Sequence, residues 1–309
     1  MISIIIVNYN RKDLLKQCVE SLRRQTFKDI EIIVVDNASK DDSVAMVKAD
    51  YPEVKLILNM ANLLFCKAQN QGISISKGDF VLCLNSDVTL DKDYLKEILS
   101  SAGLDSEIGM VSGKILRMDK KTIDSTGLFL GRNRKAVERG YGKIDKGQYD
   151  KPVYIFGVSG ACAFLRRNML EDIKDENGYF DERFGMYYED LDLCWRANKK
   201  GWKAYYIPKA LAYHIRGGTT VGCSVIASPP RRTKQSQYTG LLRRLTPRND
   251  IFSRLSDDLQ KRYIINRYIC MMKNDTILGF LMNLPIILCY DIKLYMYFLL
   301  SKLGFLAVC

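Results

Sequence analysis

Three stretches hold residue types that can do chemistry: Asn85-Ser86-Asp87, Glu189-Asp190, and the lone histidine of the chain, His214. The apolar run Phe80 to Leu84, behind a Lys-Gly-Asp turn, reads as a buried strand of a parallel sheet that delivers Asp87 to its carboxyl end. Ligands of open α/β sheets bind outside those strand ends, so a carboxylate there points into a crevice. It can hold a hard divalent cation, which in turn can hold a diphosphate. Taken alone, the triplet fits a polar turn equally well. Glu189 and Asp190 stand at the head of a helix, where the dipole favours their ionised forms, and plain capping accounts for the same placement. Leu191, Cys194 and Trp195 share one face of that helix and should anchor it, while Asp192 and Arg196 are spaced to pair. One histidine excludes multi-histidine zinc sites. His214 follows a strand at Trp202 to Ile207 and opens His-Ile-Arg-Gly-Gly, which brings a soft base, the cation of Arg216 and flexible backbone to one spot. A structural loop histidine is the alternative.

These residues need a scaffold, and the first 90 residues supply its pattern. Ile2 to Val7 is a β-branched run suited to a strand buried on both faces. Asn10 is placed to cap a helix whose apolar positions are Leu15, Cys18, Val19 and Leu22. Ile30 to Val35 is a second strand, ending in Asp36. An acid at that point commonly meets the nucleoside part of a ligand, and an Asx turn has the same spacing. A helix capped near Asp42 or Ser43, a strand at Val54 to Leu58, a helix from beyond Asn62 to about Ser76, and the strand before Asp87 complete a doubly wound half-sheet. The first strand-to-helix turn has no glycine, which argues against a dinucleotide site.

Beyond Asp91, Tyr94, Leu95, Ile98 and Leu99 mark a helix, and Met110 to Lys114 a strand. Ile115 to Tyr154 loosens into Gly, Arg and Lys, as in antiparallel excursions and mobile loops. In Phe156 to Ala161 small residues lie between apolar flanks, which suits either close approach of backbone to a ligand, at Gly160 for instance, or tight strand-to-helix packing.

The chain's 309 residues carry a net charge of +12, which points to an anionic partner. Thr220 to Asp275 holds eleven Lys and Arg against four Asp, a surplus of seven, so over half the excess lies there. Nucleic acid fits poorly, because the basic residues alternate with apolar ones rather than with stacking aromatics and no reader motif is present. Nine cysteines without a Cys-x-x-Cys pair read as free thiols of a reducing compartment, and Met1 runs into a strand with no basic leader. Ile277 to Val308 is mostly apolar, and Pro285, Asp291 and Lys293 are expected to break it into lengths below the roughly 20 residues that cross a bilayer. Helices lying in a membrane interface fit that pattern, with the arginines upstream on anionic headgroups. A helical subdomain packed on the core, or a homodimer interface, is the alternative.

Together, IIIVNYNR, VVDNAS, NLLFCKAQNQGI, LNSD, GVSGA, YYEDLDLCWR and HIRGG resemble the inverting glycosyltransferases of family 2 with the GT-A fold. The likeness is greatest to the rhamnosyltransferase-like group of surface polysaccharide assembly and covers about residues 1–220. It implies an α/β fold of GT-A type, a Rossmann-like mixed sheet flanked by helices with a helical C-terminal appendage. Residues 1–220 would be catalytic, 221–275 a basic linker and helical region, and 276–309 membrane-associating helices. It also implies a nucleotide-sugar donor, dTDP-L-rhamnose, a saccharide or lipid-linked acceptor, and Mg²⁺ or Mn²⁺. The enzyme would work in the cytoplasm, peripherally at the inner face of the cell membrane. A UDP-sugar donor, or a non-catalytic basic scaffold, are the competing readings.

Residue by residue, the resemblance gives Val7, Tyr9 and Asp36 to the nucleoside and closes Asn62 to Asn70, with Lys67, over base and ribose. Arg11, Asn85, Ser86, Gly160 and Arg216 are further nucleotide-sugar contacts. Asp190 is the general base with Glu189 beside it, and Asp87 and His214 hold the metal. Two departures stand out: Asn85 replaces the first acid of the D-x-D motif, and Leu64 stands where many relatives have glycine.

Overall fold

The computed structural model describes residues 1–100, 103–216 and 255–302. They divide into two compact units, the first made of 1–130 and 136–219, the second of 131–135 and 220–309. Gly217, Gly218 and the basic linker from Ser228 to Arg248 lie outside the described residues.

The first unit is built on a mixed sheet. Strands β1 (Ile2–Asn8), β2 (Ile30–Asp36), β3 (Lys55–Leu58) and β4 (Phe80–Asn85) alternate with helices α1 (Lys12–Arg23), α2 (Ser43–Asp50) and α3 (Leu64–Ile75). They pair in parallel in the order β4-β1-β2-β3, the expected half-sheet. Ile2, Ile4, Ile5 and Ile6 are fully buried, so both faces of β1 are covered, and Leu15, Cys18, Val19 and Leu22 of α1 share that core. The second half follows as β5 (Val88–Leu90), α4 (Tyr94–Ser100), β6 (Ile108–Arg117), β7 (Ile123–Ser125), β8 (Leu128–Leu130), β9 (Ala136–Glu138), β10 (Val153–Ile155), β11 (Cys162–Arg166), α5 (Arg167–Ile173), α6 (Glu189–Lys199) and β12 (Lys203–His214). The sheet runs β10-β12-β6-β11-β4-β1-β2-β3, with β5 on β12 and β7 on β6. Because β11 is antiparallel to β4, the strand direction changes beside the strand that carries Asn85.

Three local readings change. Asn10 does not cap α1: Arg11 is the N-cap and makes no side-chain capping bond, while Asn10 turns left-handed at φ +52° and accepts the Lys40 N–H on Oδ1 at 2.6 Å. His214 does not follow the last strand but ends it, since β12 runs on past Ile207, and Leu211 to His214 pair in parallel register with β6. Ile115 to Tyr154 does make antiparallel excursions, β7 on β6 and the β8–β9 hairpin, but they are tied in by the Ile123 N–H to Lys143 and the Thr126 N–H to Arg139.

In the second unit α7 (Asp257–Asn274) precedes α8 (Ile277–Lys302). Contrary to the expectation from sequence, α8 is one continuous helix of 26 residues with Pro285 inside it. Its charge at Asp291 is absorbed by Arg267 Nε at 2.8 Å and the Tyr268 hydroxyl at 2.9 Å, so the acid need not break the helix. By length and composition alone, Ile277–Leu299 is long and apolar enough to cross a membrane.

Leu64 opens α3 at φ +64°, a conformation that glycine adopts freely and that costs other residues roughly 1–2 kcal/mol. Leu64→Gly is therefore expected to raise stability by about 1 kcal/mol in a urea titration. A loss of stability would mean that the half-buried leucyl side chain contributes more than its backbone costs.

Candidate functional site

Sheet register assembles the site. β5 pairs antiparallel with β12 so that Val88 faces His214, and the Ile215 N–H donates to the Asp87 carbonyl at 3.0 Å. His214 is thereby set beside Asp87, with Nε2 facing Oδ1 at 3.3 Å. On its other side Nδ1 lies 2.8 Å from Asp124 Oδ2, and Asp124 Oδ1 accepts from Arg216 at 2.8 Å. Burial opposes a charge on the imidazole, but hydrogen bonds to Asp124 and Asp87 outweigh it and lift His214 to about 9. Burial likewise opposes the Asp124 anion, yet His214 and Arg216 hold that carboxyl below its ordinary range. The Arg216 guanidinium stacks on Tyr141, 4.4 Å from its ring centre.

The second acidic pair meets this group through the Gly-rich stretch. Asn85 N–H donates to the Ala161 carbonyl at 3.0 Å, and one residue earlier Gly160 N–H donates to Asp190 Oδ2 at 3.2 Å. Tight packing explains Gly157 in the same stretch, since a Cβ there would come within 2.5 Å of Cys194 Sγ on α6. Leu191, Cys194 and Trp195 are buried as expected, and Asp192 pairs with Arg196 at 2.8 Å. Immediately before α6, Tyr187 and Tyr188 are both left-handed, at φ +69° and +70°. Two consecutive aromatic residues in that region store strain where the acidic pair is presented.

Burial overrides the dipole effect expected for that pair. Burial, more than any dipole, governs both groups, and it raises Glu189 and Asp190 above the ordinary carboxylate range, with Asp190 adding to the rise at Glu189. The two environments nevertheless differ. Asp190 accepts backbone N–H groups from Gly160 at 3.2 Å and Leu191 at 2.8 Å and feels Arg216, whereas Glu189 Oε2 is buried with no hydrogen-bond partner. Asp190 is thus the member that holds the negative charge, and Glu189 the member that keeps a proton.

Two acids of this cluster escaped the sequence reading. Asp124 lies in Ile-Asp-Ser of β7 and Glu138 at the end of β9, both in the stretch read as loops. Glu138 is enclosed by Ser125 and by the Ser159 hydroxyl at 2.9 Å, and burial pushes it up to about 7. For Asp124 an acid between an apolar and a small residue was the signal available; for Glu138, between Val137 and Arg139, there was none.

Other predicted residues line the carboxyl ends of β1, β2 and β4. Val7 is half-buried, Tyr9 exposed, and Arg11 begins α1. Asp36 makes the Asx-type turn, accepting from Ser39 N–H at 2.8 Å and from Asn8 Nδ2 at 2.9 Å. Asn62 accepts the Leu64 N–H at 2.9 Å, and Lys67 is exposed on α3. Asn70 serves the fold, its amide exchanging bonds with the Phe180 backbone at 2.8 and 2.9 Å. Asn85 ends β4, and the hydroxyl of Ser86 is buried without a partner.

A divalent cation fits Asp87 and His214 as partial ligands. Both Asp87 carboxylate oxygens are buried and accept no well-aligned hydrogen bond, with one imidazole nitrogen facing them. Among the described residues no three His, Cys, Asp or Glu side chains form a complete cage, so phosphate oxygens of a ligand would complete the shell.

Residues 3–174 match the family model for Glycosyl transferase family 2. The chain is 26% identical over 265 residues to the amylovoran biosynthesis glycosyltransferase AmsB of Erwinia amylovora, covering 77% of this chain and 80% of that protein. It is 25% identical over 246 residues to the N-acetylglucosaminyl-diphospho-decaprenol L-rhamnosyltransferase of Mycobacterium tuberculosis, covering 71% and 78%. Among solved structures, the mannosyltransferase PcManGT of Pyrobaculum calidifontis, in complex with GDP-Man and Mn²⁺, is similar at a TM-score of 0.55 and 14% identity, covering 95% of this chain and 69% of that one. Of three other solved neighbours this chain spans only 36%, 43% and 57% of the length.

Glu189 offers a stability test. Its folded value lies above the ordinary 4.5, so its contribution is present below about pH 4.5 and is lost as pH rises through the raised value. Glu189→Gln should stabilise the ligand-free protein in urea titrations at about pH 9 and do little at about pH 4. Equal effects at both would show that Glu189 ionises freely.

Proposed function

The chain belongs to glycosyl transferase family 2, and on that premise we propose that it is an inverting hexosyltransferase moving a sugar from a nucleoside diphosphate onto a saccharide or lipid-linked acceptor in surface polysaccharide synthesis. The observation that carries this reading is the meeting of Asp87, His214 and Arg216 with Asp190 across the Ala161-Gly160 link. An acid holding negative charge and a cationic end are thereby brought to one edge of the sheet. L-Rhamnose from dTDP-L-rhamnose is the proposed donor, supported by the L-rhamnosyltransferase activity for which the mycobacterial relative is named.

In this reading Asp190 accepts the proton of the acceptor hydroxyl as its oxygen attacks the anomeric carbon. Its raised proton affinity suits the task, because a base works best with a value near the working pH. Glu189, neutral beside it, keeps the pair to a single charge. The bond to the diphosphate breaks as the new one forms from the opposite face, which inverts the anomeric centre without a covalent enzyme intermediate. Arg216 stabilises the negative charge that builds on the departing diphosphate. Mg²⁺ or Mn²⁺, which Asp87 and His214 would hold, supplies Lewis-acid neutralisation of the same charge; the Mn²⁺ in the mannosyltransferase structure supports that choice of ion. Val7, Tyr9, Arg11 and Asp36 would meet the nucleoside end, with Asn62 and Lys67 on the α3 side, while Asn85, Ser86 and Gly160 would lie along the sugar diphosphate.

For the second unit we propose attachment to the cytoplasmic face of the membrane through α8. Leu278, Leu281, Met282 and Ile292 are exposed on that helix, a costly arrangement in water. Co-flotation with vesicles of anionic lipid should be lost when Leu278, Leu281 and Met282 are changed to Ser; flotation unaffected by those changes would exclude α8 as the anchor.

The central test is calorimetric titration with dTDP-, UDP- and GDP-sugars, with and without Mn²⁺. Binding of dTDP-L-rhamnose that strengthens with Mn²⁺ is expected, a preference for another base would move the donor class, and binding of none would reject the transferase reading. Asp190→Asn should lower turnover by about 10²- to 10⁴-fold while nucleotide affinity stays within a few fold. Unchanged turnover would remove Asp190 from the role of base.

A further inference from the structure

We propose that Asp124 is a positioning residue that orients His214 and Arg216 for the diphosphate end of the site, an inference that rests on the reading of Asp87 and His214 given above. Its carboxylate is divided between the two: Oδ2 lies 2.8 Å from His214 Nδ1, and Oδ1 accepts from Arg216 at 2.8 Å. Only 1% of the residue is exposed, so the anion has no water to fall back on and both contacts are held in a low dielectric.

The effect on His214 is geometric. An imidazole has two nitrogens, and the partner of one decides what the other can do. With Nδ1 committed to Asp124, Nε2 is the nitrogen left to face Asp87, at 3.3 Å. A carboxylate behind a histidine in this way fixes the ring's orientation and its tautomer and increases its basicity as a ligand.

The scaffold supports this role. β7 has three residues, is paired to β6 through Ile115 with Ser125 and Leu116 with Ile123, and is held on its far side by the Ile123 N–H to Lys143 and the Gly142 N–H to Ile123. Both neighbours of Asp124 are therefore tied, while its own side chain reaches across to the end of β12. Arg216 gains a second constraint from Tyr141, so the guanidinium is held on one side by charge and on the other by an aromatic face.

His214 is the sole histidine of the chain, so full-length protein labelled with ¹⁵N-histidine gives one imidazole spin system. In the metal-free wild type, a downfield, slowly exchanging Nδ1 proton is expected, and added Mn²⁺ should broaden the His214 signals. In Asp124→Ala that proton should exchange with solvent, and Mn²⁺ affinity should fall about 10- to 100-fold. Asp124→Asn, which fills the same space, should shift the proton upfield and weaken Mn²⁺ in the same direction, and it serves if the alanine variant does not fold. A protected Nδ1 proton and unchanged Mn²⁺ affinity in a folded variant would overturn the proposal, as would the absence of such a proton in the wild type. Should the wild type show the proton and the variants lose it while none binds Mn²⁺, the metal reading of Asp87 and His214 falls and the hold of Asp124 on His214 stands.

Discussion

The site is governed by an imbalance of buried charge. Asp87, Asp124, Glu138, Glu189 and Asp190 lie within electrostatic reach of one another through a chain of contacts whose cations are His214 and Arg216. Five carboxylates cannot all ionise against two cations in a low dielectric. The structure relieves this by pushing Glu138 and Glu189 towards their neutral forms, which lessens the excess around the remaining acids Asp87, Asp124 and Asp190. Of these, Asp124 is saturated by two cationic partners and Asp190 by two backbone N–H groups and Arg216. Asp87 alone has oxygens without well-aligned donors, so it is where further positive charge would be most stabilising.

The sheet exists in this form to bring those groups together. Asp87 lies in the turn that follows β4, a strand with a parallel neighbour on one side and antiparallel β11 on the other. That reversal allows the short β5 to turn back onto β12, and the β5–β12 register is what sets His214 against Asp87. Backbone strain gathers at the rim, as it commonly does where a site is presented. Asn10, Ala38, Leu64, Tyr187 and Tyr188 all have positive φ, and hydrogen bonds connect their loops: Asn10 N–H to Ser39 Oγ at 2.8 Å, Asn37 Nδ2 to the Leu64 carbonyl at 3.2 Å, and Cys66 N–H to the Gly185 carbonyl at 3.0 Å.

What could be read in the sequence followed from periodicity. The parallel half-sheet was legible because β-branched runs such as Ile2 to Val7 admit little else, and the α6 anchor because Leu191, Cys194 and Trp195 repeat at helical spacing. The acids at strand and helix ends were legible for the same reason, since the ends could be placed. Asp124 and Glu138 were not, because three-residue strands carry too few positions for an alternation to declare itself. The ionisation of Glu189 was misjudged because helix dipoles are local and visible in sequence, whereas the burial that overrides them is a property of the assembled fold. The length of α8 was misjudged because the partner that neutralises Asp291 is Arg267 on α7, 24 residues away in sequence.

Asn85 can be understood in the same electrostatic terms. A second carboxylate at that position would add a further acid beside Asp87, whose oxygens already lack well-aligned donors. In this chain Asp124 supplies negative charge from the opposite side of His214, from the middle of a different strand, and its charge is already matched by His214 and Arg216. The acidic character of the cation end is therefore divided between one residue that faces the ligand and one that faces the histidine. Such a division trades direct coordination for orientation: fewer charged oxygens remain to desolvate at the ligand, and the imidazole and guanidinium are fixed before a diphosphate arrives.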